Sequence, residues 1–107
     1  VLPSVELVEM ATIGGAKVLG LDEKIGSIEK GKKADLVLIE TQSVNMQPIY
    51  DYYASIVYSA NPANVDTVLV DGKIVVRNKK LVSGDLNFIR NELIGLKKKI
   101  YDVAKNL

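Results

Sequence analysis

The sequence predicts an α+β fold, in which helical patterns at the two ends of the chain enclose a set of short strands. Apolar residues recur at helical spacing in residues 4–19 and again in residues 86–106. Between them, Asp71-Gly72 joins two strand-like apolar runs, which is the sequence signal of a β-hairpin. A chain of 107 residues is one small domain or part of a larger one.

The first helix is predicted between two recognisable ends. Ser4 is a candidate N-cap, and Gly20 supplies a stop after the last apolar residues. Gly14 and Gly15 lie inside the helix, where each costs about 1 kcal/mol relative to alanine. The paired glycines therefore predict that another backbone packs closely against this turn.

The segment after this helix changes to a strand pattern. Residues 25–28 predict a short strand, residues 29–33 an exposed turn, and residues 34–39 a second strand. The second strand contains a continuous apolar run, which predicts burial on both faces. Asp35 stands where its short side chain can accept a hydrogen bond from the turn backbone.

Short elements are predicted in the middle of the chain. Residues 41–48 are polar and irregular, and residues 49–60 fit a short helix that ends at Asn61-Pro62. Residues 65–70 and 73–77 form the predicted hairpin, with a type I′ turn because Asp71 and Gly72 both tolerate positive φ. A short strand at residues 81–82 is predicted after a turn at residues 78–80.

A long helix closes the chain, with Asp85 as its N-cap and about residues 86–106 as its length. Its apolar residues repeat every three or four positions and form one seam. The seam consists of Ile89, Leu93, Leu96, Ile100, Val103 and Leu107. This helix is expected to dock on another surface.

Composition excludes several kinds of chemistry. The chain has no Cys and no His, so it has no thiolate nucleophile, no disulfide and no imidazole base or metal ligand. A net charge of +1 gives no general attraction to nucleic acid or to an acidic membrane. No signal peptide or membrane span is recognisable, and the expected location is the cytoplasm. The chain begins with Val, which suggests a cut or disordered start; methionine removal or a tag would also explain it.

Three charged or glycine-containing segments are candidate ligand sites. Gly14-Gly15 lacks the strand that precedes a phosphate loop, so close helix packing is favoured. The segment 29–33 (EKGKK) lacks the remaining residues of a P-loop, which favours a solvated turn. Lys97, Lys98 and Lys99 point in three directions on a helix, which favours a solvated helix end over a nucleic-acid patch.

The remaining candidates are aromatic and acidic residues. Four tyrosines, at positions 50, 52, 53 and 58, lack interleaved basic residues, so core or interface packing is favoured over base stacking. Asp35 and Asp66 lie beside strands without a catalytic partner in the sequence, which favours turn or edge roles. The sequence therefore predicts no catalytic, cofactor-binding or metal-binding residue in this chain.

Two separated stretches carry a family resemblance. Residues 10–21 (MATIGGAKVLGL) and 25–39 (IGSIEKGKKADLVLI) are similar to the C-terminal region of the amidohydrolase superfamily. Residues 57–60 (VYSA) and 65–73 (VDTVLVDGK) resemble its deaminase and chlorohydrolase branch, which includes methylthioadenosine/S-adenosylhomocysteine deaminases. The resemblance covers roughly residues 2–82.

The resemblance implies that the chain is a C-terminal fragment of a larger enzyme. Residues 1–21 would be the last helix of an absent TIM barrel, and residues 22–84 part of a small composite β-sandwich. Residues 85–107 would be a C-terminal helix on the barrel exterior or near a subunit contact. A complete barrel takes about 250 residues, which this chain cannot hold.

The chemistry implied for the parent is metal-assisted hydrolysis that expels ammonia from a purine-like ring. Zn or Fe would bind histidines and an aspartate upstream of this chain, which is expected to be inactive alone. The expected partners are the rest of its own chain (the barrel and N-terminal sandwich strands) and, in a homo-oligomer, further copies. The alternatives are a stand-alone interaction module and an accessory subunit.

Overall fold

Helices at both ends flank a four-stranded antiparallel sheet in the computed structural model, which describes residues 2–107. Helix α1 runs continuously through Ser4–Glu9, Met10–Gly14 and Gly15–Val18; α2 comprises Tyr52–Ala54 and Ser55–Ser59; α3 is Leu86–Lys105. The strands are β1 (Leu36–Ile39), β2 (Val65–Val70), β3 (Lys73–Arg77) and β4 (Lys80–Leu81). The predicted α+β class and the long C-terminal helix are confirmed.

The sequence predicted the C-terminal end of α1 correctly but not its N-cap. Ser4 is the first helical residue and not the N-cap; Pro3 takes that position, and its carbonyl accepts from the N–H groups of Glu6 and Leu7. At the other end Gly20 has φ +70°, and its N–H donates to the Lys17 carbonyl at 3.0 Å. The predicted glycine stop is therefore confirmed, as a Schellman-type end.

The glycine pair in α1 has a different cause from the one predicted. Met10–Gly14 is a π-helical turn. A Cβ on Gly14 would lie 3.1 Å from the Glu9 carbonyl oxygen, and one on Gly15 would lie 3.4 Å from that of Met10. In residues 2–107, no atom of another segment lies within 4 Å of either Cβ position. The prediction that another backbone packs here is wrong, because the crowding comes from the widened turn itself.

The close approach to α1 occurs instead at Gly26. Its φ is +95°, and a Cβ there would lie 2.7 Å from the Ala16 Cβ and 2.9 Å from the Ile13 Cα. The predicted strand at residues 25–28 is wrong, because this left-handed glycine turns the chain onto the helix surface and away from any strand partner. The following turn at residues 29–33 is present.

The sheet is a meander in the order β1-β2-β3-β4, with every neighbouring pair antiparallel. Strand β1 is therefore an edge strand, paired through Leu36 with Leu69 and through Leu38 with Thr67. Val37 and Leu38 are 57% and 48% exposed. The predicted burial of this strand on both faces is wrong within residues 2–107, since an edge strand has only one neighbour.

Both hairpin turns rest on paired positive φ angles. Asp71 and Gly72 have φ of +50° and +79°, which confirms the predicted type I′ turn. Asn78 and Lys79 have φ of +49° and +67° and join β3 to β4 in the same way. The final strand lies one residue earlier than the predicted 81–82, because this two-residue turn pairs Lys80 directly with Arg77.

Residues 41–48 are irregular, as predicted, apart from one 3-10 turn (Val44–Met46), and helix α2 follows them. Helix α2 begins later than residue 49, because Asp51 caps it by accepting from the Tyr53 N–H at 2.9 Å. A second 3-10 turn, Pro62–Asn64, leads into β2. The predicted short helix and its end at Asn61-Pro62 are confirmed.

Helix α3 begins at the predicted cap and then makes little contact with the rest of the described chain. The Asp85 carboxylate accepts from the N–H groups of Asn87 and Phe88 at 2.9 and 3.3 Å. Every residue of α3 is exposed. The radius of gyration is 18.3 Å, whereas a compact domain of this length has about 13 Å. The predicted docking surface for α3 is therefore absent from residues 2–107.

Substitution of Gly26 by alanine is expected to lower the free energy of unfolding by about 2–4 kcal/mol. The strain of a left-handed backbone at alanine and the steric clash of its Cβ with α1 both contribute to this loss. Gly31 is the matched control, since its φ is +93° but no atom lies within 4 Å of its Cβ position. Gly31→Ala should cost only the backbone strain, about 1–2 kcal/mol. Urea denaturation followed by circular dichroism measures both; equal losses would contradict the packing at Gly26.

Candidate functional site

The most extensive polar cluster joins both ends of the segment between β1 and β2, and we call it the Glu40–Asn64 network (Glu40, Ser43, Asn45, Asn61 and Asn64). Asn64 is only 2% exposed. Its Oδ1 accepts from the Asn45 Nδ2 at 2.7 Å and from the Asn61 N–H at 3.0 Å. Its Nδ2 donates to the Glu40 Oε2 at 3.2 Å. The carbonyl oxygen and the amino group of the Asn64 side chain are therefore both hydrogen-bonded, and they connect three segments of the chain.

The Glu40 carboxylate is fully engaged as an acceptor. Its Oε1 accepts from the N–H groups of Gln42 and Ser43, and its Oε2 accepts from the Ser43 Oγ at 2.6 Å. The Ser43 hydroxyl is the main reason that the pKa of Glu40 lies below its usual value of 4.5, and partial desolvation opposes this shift. A carboxylate held ionised by several donors is a structural acceptor and a poor proton shuttle at neutral pH.

Lys32 is held inside its turn and is not presented to solvent. Its Nζ donates to the Asp22 carbonyl at 2.6 Å and to the Ser27 Oγ at 2.7 Å, and lies 3.1 Å from the Glu29 Oε2. Hydrogen bonding from Ser27, followed by Lys32, lowers the pKa of Glu29. The turn is solvated as predicted, except at Lys32. This lysine ties the turn together, so its amino group is not free to bind phosphate.

Asp35 and Asp66 have local roles. The Asp35 Oδ1 accepts from the Asp71 N–H at 2.7 Å, so it fastens the hairpin turn and not its own turn at residues 29–33. The Asp66 Oδ2 accepts from the Thr67 hydroxyl at 2.8 Å. Neither carboxylate forms an ion pair among residues 2–107, and their hydrogen bonds are local, which agrees with the turn and edge roles that the sequence favours.

The predicted aromatic and basic candidates do not converge on a site. Tyr50, Tyr52, Tyr53 and Tyr58 are 46–93% exposed, so within the described chain they are not core residues. Lys97, Lys98 and Lys99 lie exposed along α3. Gly14 and Gly15 lie within the π-helical turn and the α-helical turn after it, where no free loop is available for an anion.

The residues present do not fit a zinc or iron site. The sequence offers no His and no Cys, and across the described range 2–107 no three acidic side chains gather closely enough to hold a metal ion. The same range contains no helix with the length and apolar character needed to cross a bilayer.

The chain matches a known protein family over most of its length. The model of the Amidohydrolase family matches residues 1–75. The chain belongs to this family. The match contains α1, the turn of Lys32, the Glu40–Asn64 network and the first hairpin turn, so the family relation covers the contacts described above.

Curated relatives extend the family match toward deaminases. The chain is 48% identical over 85 residues to a 5-methylthioadenosine/S-adenosylhomocysteine deaminase of Desulforudis audaxviator, covering 79% of this chain and 20% of the relative. It is 55% identical over 85 residues to a 5′-deoxyadenosine deaminase of Methanobrevibacter smithii, covering 78% and 20%. The matched region therefore spans about a fifth of these relatives.

Solved structures of similar fold are also much longer than this chain. An adenosine deaminase of Xanthomonas campestris with bound zinc superposes with a TM-score of 0.83 and 29% identity, over 99% of this chain and 23% of that one. An atrazine chlorohydrolase of Arthrobacter aurescens complexed with zinc gives 0.82 and 28%, over 89% and 21%. The fold of these residues thus recurs within larger amidohydrolases.

Replacing Asn64 by alanine is expected to cost about 2 kcal/mol of unfolding free energy, because it removes three partly buried hydrogen bonds at once. Asn91 on α3 is the matched control, since it is exposed; Asn91→Ala should change stability by less than about 0.5 kcal/mol. Chemical denaturation measures both. Equal stability of the two variants would mean that the network does not hold the fold.

Acid should weaken the fold through Glu40. Because its folded pKa is lowered, its stabilising contribution is complete above its usual value of 4.5 and is lost as the pH falls through the lowered value. Unfolding free energy measured from about pH 6 to about pH 3 should therefore fall more steeply for the wild type than for Glu40→Gln. Parallel pH profiles of the two proteins would contradict this role of Glu40.

Proposed function

We propose that this chain is the C-terminal structural segment of a metal-dependent amidohydrolase that deaminates a purine nucleoside or a related heterocycle. The observation that carries the proposal is a family match to deaminases about five times the length of the matched region, in a chain that contains no His and no Cys. The segment is inactive alone, and its contribution to catalysis is indirect, through seating of the barrel.

The proposed division of the chain follows its exposed apolar surfaces. Residues 1–21 supply the last barrel helix, and this agrees with exposed Met10, Val18 and Leu19 on α1. Residues 22–84 supply part of a composite β-sandwich, completed by N-terminal strands of the same protein. The free edge of β1, with Val37 and Leu38 exposed, is a suitable place for such a strand. Residues 85–107 form the C-terminal helix.

The parent reaction in this proposal is hydrolytic. Water supplies the oxygen that replaces an amino group on a ring carbon, and the amino group leaves as ammonia. Zinc or iron belongs to the parent, and its ligands lie outside this chain, because the donor set here does not fit either metal. Cytoplasmic location, homo-oligomer formation and the absence of nucleic-acid or membrane partners remain predictions.

The proposal is tested by comparing the 107-residue chain with the protein encoded by its full reading frame. The longer protein is expected to contain zinc or iron and to release ammonia from 5′-methylthioadenosine, S-adenosylhomocysteine, 5′-deoxyadenosine or adenosine. The 107-residue chain should contain no bound metal and release no ammonia above the buffer control. Metal analysis and a coupled ammonia assay measure both; a metal-loaded, active short chain would overturn the proposal.

The same reading frame separates the alternatives. A His-x-His motif followed in frame by several hundred codons before Val1 supports the enzyme segment. A start codon at that point supports a stand-alone interaction module, and co-purification with a separate barrel protein supports an accessory subunit. The family relation holds in each case, so the reading frame and the co-purification distinguish them.

A further inference from the structure

Helix α3 carries a heptad pattern within its apolar residues. From Leu86 onward, seven apolar residues alternate three and four positions apart over three heptads, which is the spacing of a coiled-coil seam, while Phe88, Ile94 and Tyr101 lie outside this pattern and are also exposed. In heptad letters, the a positions are Leu86, Leu93, Ile100 and Leu107, and the d positions are Ile89, Leu96 and Val103. We call these seven residues the α3 seam.

The α3 seam is uncovered over its whole length. Its residues range from 42% exposed at Ile89 to fully exposed at Leu107. In proteins, most of the stability of a helix such as α3, which has 20 residues, comes from packing of its apolar face. The seam therefore needs a partner surface that residues 2–107 of one copy do not supply.

Charges beside the seam indicate which partner fits. The flanking g positions include Asp85 and Glu92, and the e positions include Arg90 and Lys97. In a parallel pair of α3 helices, each g residue faces the e residue five positions later on its neighbour. Asp85 then faces Arg90, and Glu92 faces Lys97, with opposite charges in both cases.

We propose that α3 associates in parallel with α3 of further copies of this protein. An antiparallel pair would bring e positions together and place Arg90 beside Lys97, which repel. Leucine at most a positions, with β-branched residues at Ile89 and Val103 in d, favours bundles of three or four helices over a dimer. The inference concerns α3 alone and does not rest on the proposed deaminase activity.

Charge reversal tests this pairing directly. Neither Glu92 nor Lys97 has an ion pair within residues 2–107, and five residues separate them, so they do not interact along one helix. Glu92→Lys and Lys97→Glu should each weaken self-association about tenfold, since attraction becomes repulsion at every interface. The double variant should return to within about threefold of the wild type. Lys98→Glu, at an outward f position, is the control.

Sedimentation velocity over a concentration series gives the masses, for the 107-residue chain and for the full reading-frame protein. Because the chain has no cysteine, Ile100→Cys adds a single thiol at an a position, and Lys98→Cys adds one on the outer face. Oxidation should link copies through position 100 and not through position 98, as a parallel bundle requires.

Four results would overturn the proposal. The first three are a monomer at all concentrations, failure of the double variant to recover association, and cross-linking that does not distinguish positions 100 and 98. Association of the short chain combined with no effect of the variants in the longer protein would also reject it. That outcome would assign the α3 seam to the remainder of its own chain. The association of α3 is measured by mass and by cross-linking, so its failure is distinguishable from failure of the proposed deaminase activity.

Discussion

The buried amide of Asn64 is the contact on which the middle of this molecule depends. It joins the end of β1, the turn before β2 and the loop between them, through Glu40, Asn61 and Asn45. Across residues 2–107 only four residues are buried: Ala16, Met46, Ser55 and Asn64. With so small an apolar core, directional hydrogen bonds carry an unusual share of the tertiary order, and each one that is left unpaired in a buried site is costly.

Features with a local cause could be predicted from the sequence. The Asp71-Gly72 turn, the Gly20 stop and the Asp85 cap depend on a few adjacent residues, so their residue types are sufficient. Burial could not be predicted in the same way. The apolar run in β1 has the composition of a central strand, but its position at the sheet edge is set by how many strands surround it.

The polar contacts show a similar division. Asp35 was expected to bind a turn, and it does, but the turn lies 36 residues away at Asp71. The Glu40–Asn64 network was missed, because its two central residues are 24 positions apart and each looks ordinary in its own segment. The one available signal was Asn61-Pro62, which predicted the helix end; the adjacent Asn64 completes the capping box of the next turn. Pairings at such distances require the fold.

The exposed apolar surfaces differ in kind, and this difference bears on what covers them. On α1 and β1 the exposed residues include Met10 and Val37, without a repeating charge pattern beside them, as in surfaces that pack against a larger core. On α3 the seven seam residues keep a 3.5-residue period, with opposite charges at two pairs of positions that face each other in a parallel bundle. One protein core can satisfy the first kind of surface with hydrophobic contact alone. The charges beside the α3 seam favour one orientation of the partner helix. Another copy of α3, bound in parallel, has the matching apolar period and the matching charges.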